Sequence, residues 1–343
     1  MTEAVFYNAA NIFLESDYRK LERLLNQFGK WEGVWRNVPQ AEKGKPDPQN
    51  EWQKLEKLGI RLIMQNETEY PLLLKEIPQP PFGIYVLGNL PPEEKITLAV
   101  VGTRKATSEG KELAKIFAAE LAKHGFAIAS GLALGIDAAA HEGCLEAGGH
   151  TVAVQGNGLD QFYPRLNDRL AKKILDSGGA IISEYHLHAP SLPYRFLERN
   201  RIVSGLSRGV LVIEAPRESG ARVTARHALD QNRDVFVVPG PISHPNYVGS
   251  NQLIRQGAEL VTKPDEILES FGIETANEKK AAANFETTEE KLIFEALAKL
   301  SLPADVDKII EMTKLESSGV NRALTMLTIK NLIKETESGY TLN

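Results

Sequence analysis

A single cysteine, Cys144, stands in the 343 residues. No internal disulfide can form, and a cysteine-rich metal site is excluded. No apolar run approaches the ~18 residues that a membrane-spanning helix needs. The amino-terminal stretch MTEAVFYNAANIFLESDY has no basic region ahead of an apolar one, so neither a span nor a leader is expected, and the expected location is the cytoplasm. Two phosphate-binding fingerprints are also missing. G-x-G-x-x-G does not occur, and Gly110-Lys111 is followed by Glu112, where a P-loop needs serine or threonine. These absences disfavour enzymes that use a dinucleotide or ATP, and no cofactor is expected. Lysine, finally, is absent between Lys173 and Lys263.

What is present has the composition of an ordinary globular protein, 42% hydrophobic and 25% charged. The net charge is −5, which alone disfavours a nucleic-acid binder, but its distribution says more. The lysine-free region holds seven arginines between Arg195 and Arg226, against three glutamates. An arginine-only cluster suits planar, bidentate contact with phosphate or carboxylate. The alternative is an ion-paired helix face.

Residues 96–158 organise the chain. Three apolar runs, ITLAV, FAIAS and HTVAV, each end in glycine and small polar residues, with helix-period segments between them. That is a β-α-β-α-β unit with a parallel sheet. Ahead of it, residues 6–36 have helical spacing, Gln40 to Asn50 read as a loop, and a helix from Glu51 leads into the strands IRLIMQ and IYVLG. After it come a helix near residues 167–177, the strand GAIISE, an irregular proline-bearing stretch HLHAPSLPYRFLERNR, the strand GVLVIEA, a helix at 221–231, the strand RDVFVVPG, a short helix headed by Ser250, and the strand AELVT.

The expected fold is α/β: an extended Rossmann-like, doubly wound, mostly parallel sheet (58–272). A small N-terminal helical domain (1–57) precedes it, and a linker (273–286) leads to a winged-helix domain (287–343) of three helices and a hairpin. Residues 285–343 carry 7 basic and 10 acidic side chains. Such a module is a poor DNA reader, and protein contact or a structural role suits it better.

In open parallel sheets, ligands sit off the carboxyl ends of the strands. The first loop there, VGTRKATSEG, offers a close backbone approach at Gly102, the Thr103 hydroxyl, the Arg104 charge and a helix N-terminus, which together suit an anion. In SGLALGIDAAAH, Asp137 and His141 share a helix face, and a cap with a local hydrogen bond is the simpler role for Asp137. His141 with Cys144, or His186 with His188, are too sparse for a metal site. The third loop, QGNGLDQFYPRLN, sets Phe162 and Tyr163 beside Arg165, which fits stacked bases and paired phosphates. A Tyr-Pro turn packed on the core is the alternative. RFLERNRIVSGLS and ESGARVTA add Arg199, Asn200, Arg201, Ser219, Gly220 and Thr224 near the same edge. No set of nucleophile, base and orienting group can be assembled, so a binding groove is expected and no catalytic residue.

VGTRKAT, SGLALGIDAAAH, GNGLDQFYP, RNRIVSGLS, SGARVTA, VFVVPG and SNQLIRQGA, in this order, resemble the DNA-processing protein A (DprA, or Smf) family. The likeness runs from Leu58 to about Val261 and extends weakly over 315–333. It implies a single-stranded DNA-binding recombination mediator that homodimerises and loads the RecA recombinase during natural transformation. The family's phosphate-contacting arginine and the basic residue after Tyr-Pro fall on Arg104 and Arg165. Ser130, Gly131, Asn167, Arg199, Asn200 and Arg201 match neighbouring motif positions. The segment before the hairpin, Thr328 to Asn331, departs from the family pattern, so the module's partner surface is expected to differ. Two other readings stay open: an enzyme on a nucleotide or ribose phosphate, and a winged-helix transcription regulator on duplex DNA.

Overall fold

Short runs of β-branched and small apolar residues form the strands of a nine-stranded sheet in a computed structural model. The structure describes residues 1–38, 44–273, 285–300, 303–330, 332–336 and 338–342. Most of the expected linker lies outside the described residues. The chain divides into two compact units, Met1–Pro264 and Asp265–Asn343.

In the first unit, the strands are β1 (Arg61–Met64), β2 (Gly83–Gly88), β3 (Thr97–Val101), β4 (Ala127–Ser130), β5 (His150–Val154), β6 (Ala180–Ser183), β7 (Gly209–Val212), β8 (Asp234–Val237) and β9 (Glu259–Leu260). Their order is β1-β2-β6-β5-β4-β3-β7-β8-β9. β3 to β9 run parallel, while β2 is antiparallel to both β1 and β6. The chain therefore starts the parallel sheet at β3, winds outward through β4, β5 and β6, and returns beside β3 as β7. The carboxyl ends of β3 and β7 flank the topological switch point, where a crevice opens in such sheets.

The helices of this unit are α1 (Glu3–Phe13), α2 (Tyr18–Phe28), α3 (Trp31–Asn37), α4 (Pro48–Lys57), α5 (Leu72–Lys75), α6 (Ser108–Lys123), α7 (Ile136–Glu146), α8 (Asp168–Asp176), α9 (Pro193–Gly205), α10 (Gly220–Asp230) and α11 (Val248–Arg255). The period of two in the strands splits the core onto two faces. Val152, Val154, Ala180 and Ile182 join Ile202 and Val203 of α9 and Ala221 and Ala225 of α10. On the other face, Ala153 and Ile181 join Leu170 and Ile174 of α8 and the N-terminal Tyr7, Trp31 and Leu55. Buried Tyr85 of β2 donates to Asn8 Oδ1 at 2.9 Å and accepts from Asn11 Nδ2 at 3.1 Å, tying α1 to the sheet.

α9 corrects the sequence reading, which left this stretch irregular. Pro193 sits in the first turn of the helix, where its fixed φ and missing N–H suit helix initiation. From there the spacing of Phe196, Arg199, Asn200 and Val203 follows one helix face. Ser250 also differs from its expected place. It lies inside α11, buried, and its Oγ accepts from Ala215 N at 2.9 Å just beyond β7.

The second unit contains α12 (Pro264–Ser270, which begins at the boundary), α13 (Thr288–Leu297), α14 (Val306–Thr313), α15 (Ser317–Ile329) and a hairpin of β10 (Ile333–Thr336) and β11 (Gly339–Leu342). The three helices and hairpin read from the sequence are present. They enclose a core of Ile293, Phe294, Ile309, Leu324 and Leu327. Thr287 caps α13 by accepting from Glu290 N at 3.2 Å. Glu290 returns the contact by accepting from Glu286 N at 2.9 Å, and the Lys330 ammonium lies 2.8 Å from the same carboxylate.

A candidate nucleic-acid groove at the switch point

A groove of about 590 Å³ lies across the carboxyl ends of β3, β4 and β7. Its floor is the first glycine loop. Thr103 N donates to the Glu214 carbonyl at 2.7 Å, which fixes the loop to the end of β7. The Glu214 side chain is fully buried and clamps the loop's far end. It accepts from Thr107 Oγ1 at 2.5 Å, Thr107 N at 3.0 Å and Asn246 Nδ2 at 2.8 Å. Thr107 in turn caps α6 by accepting from Gly110 N at 2.9 Å. Held at both ends, the loop presents Arg104 and Lys105 as exposed cations. Neither has a carboxylate partner among the described residues. Gly102 serves a different close approach from the one its sequence suggested. A Cβ there would collide with Ile136 at the start of α7, so the glycine admits a helix rather than a ligand.

The second wall comes from Gly131 and Asp137. The Asp137 carboxylate accepts from Gly131 N at 3.1 Å and Ala133 N at 3.4 Å. It faces Arg199, whose Nη1 donates to the Gly131 carbonyl at 2.8 Å and to the Val154 carbonyl. Arg199 thus ties together the ends of β4 and β5. Burial lifts the Asp137 carboxyl above its ordinary value, against the opposing pull of Arg199 and the two N–H groups. Burial likewise lowers the Arg199 guanidinium to about 10. A Cβ on Gly131 would sit 2.6 Å from both partners. Asp137 is therefore a buried brace rather than a free base. His141 is separate from it, bonded through Nδ1 to Thr151 Oγ1 at 2.7 Å, and burial pushes its imidazole down to about 3.

The third loop divides its two aromatics. Phe162 packs inward against the apolar cluster, whereas Tyr163 stays 40% exposed. Gln155 Oε1 accepts from Tyr163 N at 3.1 Å and holds the residue in place. The Tyr163 ring lies 5.1 Å from that of Phe196 at 34°, and the Arg104 guanidinium lies 5.4 Å from the Phe196 ring centre. With Leu134 and Pro164 these groups line a small notch opening beside the groove. An aromatic pair next to a fixed cation is a platform on which a base can stack while its phosphate meets the arginine.

α9 and α10 close the groove. Asn200 Nδ2 donates to the Gly220 carbonyl at 3.2 Å, joining α9 to the start of α10. Ser219 caps α10, its Oγ accepting from Ala221 N at 3.2 Å and its carbonyl from Arg222 N at 3.1 Å, and the positive end of the helix meets the groove. Thr224 lines the same wall, its hydroxyl bonded back to Gly220 O at 3.2 Å.

The groove thus gathers Gly102, Thr103, Arg104, Gly131, Arg199, Asn200, Ser219, Gly220 and Thr224. Four sequence candidates lie elsewhere. Ser130 is buried and donates to Val100 O at 2.6 Å. Asn167 is buried and donates to Leu132 O at 2.8 Å. Arg201 projects from the opposite side of α9 and pairs with Glu184 at 2.5 Å. Its position follows from helical phase, since two steps of about 100° turn 201 roughly 200° away from 199. Arg165 is exposed just beyond Pro164 and does not line the groove. Sequence reasoning missed Phe196 and Glu214. Phe196 was legible only once α9 was recognised as a helix, and Glu214 carried the signal of a carboxylate ending an apolar strand.

Residues 61–272 match the model of the family described as DNA recombination-mediator protein A. The chain belongs to this family. Protein Smf from Escherichia coli (strain K12) is 47% identical over 221 residues, covering 64% of this chain and 59% of the relative. The match therefore spans less than two thirds of that protein's length. The X-ray structure of DNA processing protein A (DprA) from Streptococcus pneumoniae is 36% identical with a TM-score of 0.61, over 70% of this chain and 80% of that one. DNA processing protein A from Helicobacter pylori, studied for its single-stranded DNA binding mode, is 28% identical with a TM-score of 0.55, over 62% of this chain and 95% of that one. The fold of the core is thus DprA-like, shared with solved DNA processing proteins. No helix among the described residues is long and apolar enough to cross a membrane.

Proposed function

We propose that this chain is a single-stranded DNA-binding recombination mediator whose groove at the switch point holds the strand. The observation that carries this reading is the placement of unpaired Arg104 beside the Tyr163–Phe196 ring pair and the α10 N-terminus. Arg104, Lys105 and the positive end of α10 meet phosphates, while the rings accept base faces. Thr103, Gly131, Asn200, Ser219, Gly220 and Thr224 shape the wall. Arg199 acts through Asp137 and the strand ends. A duplex would present only its phosphates, because its bases are already stacked on each other, so single strands are preferred. The Helicobacter pylori relative's single-stranded DNA binding supports the same assignment.

No reaction is assigned to the groove. Asp137 is engaged by Arg199 and two backbone donors. In the cell, we infer, the protein acts in the cytoplasm as a homodimer, protects incoming single strands during natural transformation and passes them to the RecA recombinase. These steps rest on the family resemblance. Competition between single-stranded and duplex DNA of one sequence tests the binding claim. The single strand is expected to displace the duplex, and equal competition refutes the groove as a base-stacking site. Faster RecA filament formation on strands preloaded with this protein tests the hand-off, and an unchanged rate refutes it.

A further inference from the structure

Arg195 opens the arginine-rich run and does not line the groove, yet it is only 4% exposed. It stands in the first turn of α9, where Leu192 at the helix start offers no side-chain cap. An uncapped first turn frays readily, and this one carries Pro193 and Phe196 to the groove. The Arg195 side chain supplies the missing fixture. Its Nη1 donates to the Pro190 carbonyl at 3.0 Å, just ahead of the helix, and its Nη2 donates to the Glu15 carbonyl at 3.0 Å, in the turn between α1 and α2. The guanidinium lies 4.7 Å from the centre of the buried Tyr185 ring. The Tyr185 hydroxyl shares its proton between the Arg195 carbonyl at 3.3 Å and the Glu198 carboxylate at 3.0 Å. The anchor in the α1–α2 turn is itself fixed. Glu15 and Ser16 hold left-handed φ values of 54° and 59°, which for such residues persist only where the surroundings enforce them. Ser16 Oγ accepts from His186 N at 3.2 Å.

We propose that Arg195 is a positioning residue for the single-stranded DNA site, holding the first turn of α9 so that the Phe196 ring keeps its place beside Tyr163 and Arg104. The inference rests on the groove reading above and deepens it. Arg195 and Phe196 leave the helix about 100° apart, so a single turn carries the clasp on one side and the stacking ring on another. Gly156 lets that turn sit close to the end of β5, since a Cβ there would lie 2.9 Å from the Phe196 ring and 3.4 Å from the Arg195 backbone. Without the clasp, the turn keeps only Pro193 and its backbone bonds, and the ring loses its fixed tilt. The phosphate contacts of Arg104 and Lys105 belong to a different loop and are untouched. Base stacking therefore depends on the N-terminal helices, none of whose residues lines the groove.

The test titrates an oligothymidine, and an abasic deoxyribose-phosphate oligomer of equal length, into the full chain at temperatures where melting curves show each variant folded. Arg195→Met keeps an apolar stem against Tyr185 and removes both donors. Arg195→Gln keeps a donor for one carbonyl and gives the same reading where Arg195→Met does not fold. Phe196→Ala is expected to weaken oligothymidine binding about tenfold, as loss of one stacking contact does. Arg195→Met should weaken it about threefold or more, by loosening that same contact, with abasic binding and salt slope unchanged. Arg195→Lys, whose ammonium can donate to both carbonyls, should bind within about twofold of wild type. Added to Phe196→Ala, Arg195→Met should cause no further loss. Equal weakening of both oligomers, or a lower melting temperature with no change in affinity, marks a purely structural role and overturns the proposal. Additive losses, or a lysine variant no better than methionine, overturn it too. A salt slope flatter by about 0.7 would make Arg195 a phosphate contact instead and also overturns it. Unchanged binding in Phe196→Ala removes the stacking platform of the groove reading itself, and the positioning role with it.

Discussion

Replacing Glu214 separates two roles that a buried carboxylate can have behind an anion-binding loop. In the structure it receives three donors from two segments, Thr107 through N–H and O–H and Asn246 through its amide. Glu214→Ala leaves all three donors short of an acceptor and opens a cavity beneath Gly110, which lies against the carboxylate. An unsatisfied buried donor costs about 1–3 kcal/mol, and partial exposure of Thr107 and Asn246 places the sum near the lower end, at about 3 kcal/mol. For a unit of this size that corresponds to a Tm roughly 6–12 °C lower. Glu214→Gln behaves differently. Its amide oxygen can keep the Thr107 and Asn246 N–H bonds, and its NH2 can donate to the Thr107 hydroxyl oxygen, at a loss of about 1 kcal/mol. Differential scanning calorimetry gives the stabilities, and titration with a labelled oligothymidine gives the consequence for the loop. Strand affinity should fall in the alanine variant and persist in the glutamine variant at temperatures where both are folded. An alanine variant melting within about 2 °C of wild type, or a glutamine variant as damaged as alanine, refutes the clamp.

Other consequences concern the brace, the core histidine, the stacking platform and the second unit. Gly131→Ala pushes a methyl between Arg199 and Asp137 and should cost about 1–3 kcal/mol by overpacking, seen as a lower Tm together with weakened strand binding; unperturbed melting contradicts the packing described. His141 keeps its neutral form because burial lowers its pKa to about 3. The unfolded chain takes up the proton below about 6.5 and the folded chain does not, so His141 stability is fully present above that pH. It should be lost at up to about 1.4 kcal/mol per pH unit as pH falls toward 3. Stability measured from pH 7 to 5 should fall less steeply in His141→Gln than in wild type, and equal slopes would contradict the assignment. Tyr163→Ala should reduce single-strand affinity by about 1–3 kcal/mol with little change in salt slope, because it removes stacking and no charge; a flattened slope tells against the platform. Thr287→Ala removes the cap of α13 and should destabilise the second unit by about 1 kcal/mol.

The alternating strand–helix pattern of residues 96–158 was legible because its periods are unambiguous and each strand is short, buried and β-branched. Arg104 and Gly131 could be placed at the groove from their positions after β3 and β4. Pro193 marks either a break or a first turn, and the sequence of Ala189 to Arg201, with a second proline at Pro190, carries no cap or clean apolar period to decide between them. Reading the stretch as irregular hid Phe196 and made Arg199 and Arg201 look equivalent. They stand two positions apart and point to opposite sides of α9, and only helical phase separates them. Asn167 and Ser130 illustrate a different limit. A polar side chain next to a glycine loop bonds a ligand or the backbone with the same chemistry, and only the tertiary position of Leu132 O and Val100 O decides. Glu214 escaped because its partners, Thr107 and Asn246, are remote in sequence.

The central claim is that a single strand is held by phosphate contact at the loop after β3, and Arg104→Ala tests it most directly. Dissociation constants for an oligothymidine should be measured for wild type and variant across a series of salt concentrations. Loss of a charge-assisted contact of about 1.5–3 kcal/mol predicts binding weaker by roughly tenfold or more at low salt, with a log–log slope flatter by about 0.7. Superimposable salt titrations for the two proteins, at equal melting temperatures, would contradict the account.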